Sequence, residues 1–185
     1  MHVDSALSRR QSALIHRNLE ALRQASSLLH ELDDETFRAT PCGLGPLRVS
    51  SHLRHVIEFY ECFLDGLERA HIDYDARQRD ESLERSTGHA ARRIEEIIER
   101  MQSHPRLRSD AALSVRIEDS GAQEFEDPFL PSSVSRELMT LFSHTIHHFA
   151  LIATTLRALG QEPGSEFGVA LSTLRYQAAQ RKAAA

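Results

Sequence analysis

An all-α protein, a four-helix bundle with a small β-hairpin between its third and fourth long helices, is the fold this chain predicts. Three observations carry the prediction. Four long stretches repeat their apolar residues at the helical period, which gives each a single buried face. Gly, Pro, Ser and Asp punctuate the joins between them. One short stretch after Leu113 switches to alternation, the period of a strand.

The first helix is expected from about Ser8 to Leu32, with Leu14, Leu22, Leu29 and Leu32 on its apolar face. A polar connection containing Gly and Pro, Asp33 to Val49, follows. The second helix should open at a Ser50 or Ser51 cap, bury Leu53, Val56, Phe59, Tyr60, Phe63 and Leu67, and end near Ala70. His71 to Asp80 is too charged to continue it and reads as an ordered loop. The third helix spans about Gly88 to Ser103, with Ile94, Ile97, Ile98 and Met101 inward and Pro105 beyond as a stop. Between Leu113 and Phe125 the alternation around Ser120-Gly121 predicts the hairpin. The fourth helix opens at Ser132 or Ser133 and runs to Leu159, with Gly160 as its stop. From about residue 161 a tail with Phe167 and Leu171 should pack on the body, the last nine residues fraying.

At 185 residues the chain can bury a real core and still be one domain, 1–185. A hydrophobic fraction of 41% with 26% charged residues is that of an ordinary soluble protein. The net charge is only −5 and the basic residues are interspersed with acidic ones, so no cationic stripe offers itself to nucleic acid. No signal-type apolar run opens the chain, and no segment approaches the ~18 uninterrupted apolar residues of a membrane span. A cytoplasmic protein with a small-molecule substrate is the expectation, without nucleic acid or membrane partners. Cys42 and Cys62 form no CxxC pair and are expected as reduced thiols.

Function is most legible in the histidines. Ser51-His-Leu-Arg-His55 and Ser143-His-Thr-Ile-His-His148 bring five of the chain's 11 histidines onto two separate helices. Neutral imidazole is the commonest side-chain metal ligand, and residues four apart share a helix face, so His144 and His148 form a two-ligand clip. A lone inward histidine is most simply a hydrogen-bonded core residue. Several converging imidazoles without a metal would each need a separate hydrogen-bond partner. On a helical wheel His144 and His148 point inward, with His147 at the margin of the apolar arc. The wheel also places His52 nearer the core centre than His55, which lies at the edge with Glu58 and Cys62. The simpler readings are a first-turn polar residue for His52, a solvated edge for Glu58 and a small buried hydrophobe for Cys62. His16, His30, His71, His89 and His104 lack a partner at helical spacing and are expected at the surface.

The combination of Ser51-His-Leu-Arg-His-Val-Ile-Glu-Phe-Tyr-Glu-Cys-Phe-Leu64 with His144-Thr-Ile-His-His148 resembles the DinB/YfiT-like superfamily. The N-terminal domain of ergothioneine sulfoxide synthases is similar. Tyr74 to Asp80, Arg136-Glu-Leu138 and Ser172 to Tyr176 look like features of one subgroup. The resemblance implies a four-helix bundle with a three-histidine metal site. It carries the ligand roles to His55, ahead of Val56 and the Phe59-Tyr60 pair, and to His144 and His148. It thus prefers His55 where the wheel prefers His52. It also allows a homodimer. Many relatives follow the last histidine with Arg-Gly-Gln or Arg-Gly-Asn, whereas Phe149-Ala-Leu151 stands here.

Three neutral imidazoles would leave a coordination position open on zinc, nickel, iron or manganese, able to activate water or hold a thiolate. Thr145 occupies the place where an HExxH protease carries its glutamate, so that chemistry is excluded. The resemblance implies a metal-dependent enzyme acting through a low-molecular-weight thiol or water, of S-transferase, isomerase or hydrolase type. The alternative is a non-catalytic metal-binding or stress-induced bundle. Around the ligands, His52, Arg54, Glu58 and His147 are expected to wall a pocket, with Glu58 or His147 as proton acceptor.

Overall fold

The computed structural model describes residues 2–43, 45–116 and 129–183. Among these residues it is mostly helical, with six α-helices and one small sheet: α1 His2–Glu31, α2 Asp34–Arg38, α3 Val49–Leu67, β1 His71–Asp73, α4 Thr87–Ser103, β2 Ala112–Arg116, β3 Leu130–Ser133, α5 Val134–Ala158 and α6 Leu171–Ala183. Four of these helices, α1, α3, α4 and α5, match the four periodic stretches. Helices α1 and α3 each pack against both α4 and α5. Their shared core holds Leu22, Leu29, Leu53, Ile57, Phe63, Ile94, Leu138, Leu141 and Ile152. Among the described residues no helix is long and apolar enough to cross a membrane.

Several joins differ from the sequence expectation, each for a local reason. The connection after α1 contains the short helix α2, because the Asp33 carboxylate accepts from Thr36 N at 2.7 Å and Phe37 is driven into the core. Burying a phenyl ring stabilises by roughly 1.5–3 kcal/mol. Helix α3 begins at Val49 without a serine cap. Ser50 is buried inside the helix, and Ser51 Oγ donates back to Arg48 O at 3.0 Å.

His71–Asp73 is a strand rather than a loop. Ala70 turns the chain with φ 55°, and Gly66 lets the strand lie directly on α3. A Cβ at Gly66 would stand 2.6 Å from His71 O and 2.7 Å from the Ile72 side chain. Ile72 is consequently fully buried. The sheet order is β1-β2-β3, with β1 parallel to β2 and β2 antiparallel to β3. The expected hairpin is therefore realised differently. Its first arm is β2, but the partner is Leu130–Ser133, and the Ser120-Gly121 turn lies outside the described residues.

Helix α5 is capped by Ser133, whose hydroxyl accepts from Arg136 N, and stops at Gly160, which adopts φ 78°. The tail packs on α5 through Phe167, stacked on Phe149 with centroids 4.6 Å apart. Residues 177–183, expected to fray, continue α6, although α6 itself buries no side chain. His104, expected at the surface, is 10% exposed at its side chain: it caps the turn that follows by accepting from Arg106 N and pairs with Glu68.

Candidate metal centre

Helices α3 and α5 lie side by side, and their histidines meet across the contact. His55 Nε2 and His144 Nε2 are 3.0 Å apart. The rings of His55 and His148 have centroids 4.6 Å apart, and those of His144 and His148 4.5 Å. One ligand nitrogen from each of His55, His144 and His148 lies within 4.8 Å of the others, a group that could hold a metal ion. The donor set fits a divalent ion. Two nitrogens bound tetrahedrally at about 2.0–2.1 Å stand about 3.3 Å apart, close to the spacing of the two Nε2 atoms.

The environment keeps these imidazoles neutral, the form that carries a free lone pair. Burial, reinforced by His144 and the Arg77 and Arg54 guanidiniums, lowers His55 to about 4. Burial with the neighbouring histidines lowers His148 to about 3. His52 and His144 are lowered in the same direction, again chiefly by burial.

His52 is buried, as the wheel predicts, but it does not join the three-nitrogen group. Its Nδ1 lies 3.0 Å from His148 Nδ1. When His148 Nδ1–H donates to His52, the Nε2 lone pair of His148 is left free for coordination. His52 Nε2 is then the protonated nitrogen, buried without a partner among the described residues.

An aromatic stack holds the cluster from the side. Phe59 stacks on His144 at 4.3 Å and meets His55 edge-on at 4.7 Å, and Tyr74 stacks on Phe59 at 5.0 Å. Tyr74 OH donates to buried Glu137, which also accepts from Ser132 and Arg136. The chain after β1, the start of α5 and the ring against His144 are thereby tied together. Arg77 lies over Phe59, 4.6 Å from its centroid, and donates to Tyr74 O at 2.6 Å. The periodicity of the sequence carries no sign of this role: Arg77 sits in the charged, aperiodic segment, and only its place in Tyr74–Asp80 sets it apart.

The expected pocket residues separate. Glu58, 3% exposed, accepts from Asp80 N at 3.0 Å and lies 3.4 Å from Arg54 Nη1 and 3.9 Å from Arg77 Nε. It anchors the Tyr74–Asp80 segment to α3 and lines a cleft together with Arg77, Cys62, Asp65, Arg69 and Arg93. Arg54 is turned to Glu84 at 2.7 Å. His147 is exposed beside His148 and, with His144, lines a shallow cleft floored by Met139, Thr140 and Ser143. His144 is the member of the coordinating group that lines this cleft. Burial pushes the Cys62 thiol up to about 11, so it is no thiolate at neutral pH.

No family model matches the chain. Over 107 residues it is 32% identical to FK506-binding protein 5 of Rhizopus delemar, a similarity covering 57% of this chain and 27% of that protein. The chain therefore spans about a quarter of that relative's length.

Proposed function

We propose that the protein is a metal-dependent enzyme of the DinB/YfiT-like superfamily, a four-helix bundle whose His55, His144 and His148 hold one divalent ion. The observation that carries the reading is the convergence of three neutral imidazoles from two helices, one of which, His144, lines a cleft. A bound zinc, nickel, iron or manganese ion would supply a Lewis acid with an open position for a water molecule or the sulfur of a low-molecular-weight thiol. The chain's own residues do the rest. His52 orients His148 through the Nδ1 contact, and Phe59 fixes the plane of His144. His147, exposed at the rim, is the group placed to take a proton from an incoming thiol or water. Glu58 is committed to Arg54 and the Asp80 amide and is the poorer candidate.

The binding of FK506 in the relative's name is not carried over, because the similarity covers 27% of that protein. A non-catalytic metal protein is the competing reading, and the cleft against His144 favours catalysis over it, since a purely structural site needs no access. The test compares untagged wild type with His148→Ala and His147→Ala. Elemental analysis should find metal lost in the first and retained in the second. Turnover with a low-molecular-weight thiol should vanish in the first and fall at least tenfold in the second. Full turnover by metal-free His148→Ala would overturn the mechanism, and metal retention without turnover in the wild type would favour the structural role.

A further inference from the structure

The face of α5 that carries His144 continues into a second cleft. Ser143 and His147 line the shallow cleft at His144 and also a deeper one of ≈ 570 Å3 between α1, α5 and the start of α6. A volume of about 300–1,000 Å3 is typical of small-molecule sites. The deeper cleft has an apolar side made by Phe142, Ile146, Ala150 and Leu171, and two guanidiniums, Arg17 from α1 and Arg175 from α6. No carboxylate lines it, and neither arginine has an ion-pair partner among the described residues. Some other arginines of this chain are matched with acids, among them Arg54, Arg77, Arg93, Arg100, Arg136 and Arg157.

The wall carrying Arg175 is built against α5. Gly168 adopts φ 72° and lies so close to the helix that a Cβ there would stand 2.6 Å from Ala150 N. With Phe167 stacked on Phe149, this contact fixes the chain just before α6 and sets Leu171, Ser172 and Arg175 on the rim.

We propose that this cleft binds a small amphipathic anion. Arg17 and Arg175 receive its carboxylate or phosphate, the apolar side of the cleft takes its hydrocarbon body, and its other end passes Ser143 and His147 to reach His144. Two guanidiniums without a carboxylate partner among the described residues suit an anionic headgroup because each offers several donors in a fixed fork. The anion site stands on the cleft alone. Only the assignment of its far end as the reacting end rests on the metal-enzyme reading.

Calorimetric titration of the untagged full chain with sodium octanoate and with monooctyl phosphate, and with octylamine as the cationic control, tests the proposal. Saturable one-to-one binding of at least one anion and none of the amine is expected, the better anion identifying the headgroup. Arg17→Gln/Arg175→Gln should weaken that anion at least tenfold, and Arg17→Lys/Arg175→Lys should recover most of the loss. The proposal is overturned by no saturable anion binding, by equal binding of the amine, or by an affinity that the glutamine pair leaves unchanged. Self-association that the glutamine pair abolishes, without anion binding, would overturn it in favour of a second copy of the chain as the occupant. Elemental analysis of the same preparations separates the two ideas: arginine-dependent anion binding by a protein that takes up no metal supports the cleft and removes the metal reading.

Discussion

His148 is surrounded by imidazoles and cations: His52 and His55 reach it from α3, His144 and His147 share its own helix, and Arg54 and Arg77 act on the neighbouring His55. In the metal-free protein this setting has a definite pH signature. The unfolded chain protonates its histidines near 6.5, whereas the folded chain holds His55 neutral to about 4 and His148 to about 3. Folded pKa values below the unfolded one mean that stability is complete above about pH 6.5 and is lost as pH falls toward the folded values. The urea midpoint of chelator-treated protein should therefore fall between pH 7.5 and 5, and His55→Phe/His148→Phe should flatten the fall. A midpoint independent of pH in the wild type would contradict the burial of these rings as neutral groups. His52 acts through His148, so His52→Leu should weaken metal binding about 10–100-fold, the usual cost of removing a partner of a ligand imidazole. Competition with a chromophoric chelator measures this, and unchanged affinity would show that the Nδ1 contact does not orient the ligand.

Helix α3 carries much of the architecture. Its buried positions, from Val49 through Leu67, cover most of its circumference, and Gly66 lets β1 cross it at backbone distance. Gly66→Ala should cost about 1–3 kcal/mol, the range for overpacking a close contact, since the Cβ would meet backbone as well as a side chain. Thermal denaturation measures the loss, and a variant as stable as wild type would mean that β1 can shift without consequence. The four long helices were legible in the sequence because amphipathic periodicity is a property of the segment itself. The sheet was less so. β1 is a three-residue strand whose pairing with Ala112–Arg116 is non-local, and a glycine in α3, not any pattern within His71–Asp73, makes room for it. The HxxxH pair was legible from spacing within one helix. The choice between His52 and His55 was not, because it depends on the tilt and rotation of α3 against α5. The wheel was right that His52 is the more buried, and the group of converging nitrogens nonetheless takes His55. The roles of Phe59, Tyr74 and Glu137 around His144 depend on three segments meeting and leave no trace in any one of them.

At the scale of the molecule, the proposed ion joins α3 to α5 and should behave as a ligand of the folded state alone. Binding that exceeds its dissociation constant a hundredfold raises folding stability by about 2.7 kcal/mol. Chelator should accordingly lower the melting temperature of metal-loaded wild type by several degrees and leave His148→Ala unmoved. An equal shift in both would place the effect elsewhere on the protein. Anomalous diffraction from crystals of untagged, metal-loaded protein locates the ion outright. One ion is expected at about 2.0–2.2 Å from a ring nitrogen of each of His55, His144 and His148, with a further position open toward His147. An ion bound elsewhere, or bound through His52 with His55 turned away, would contradict it.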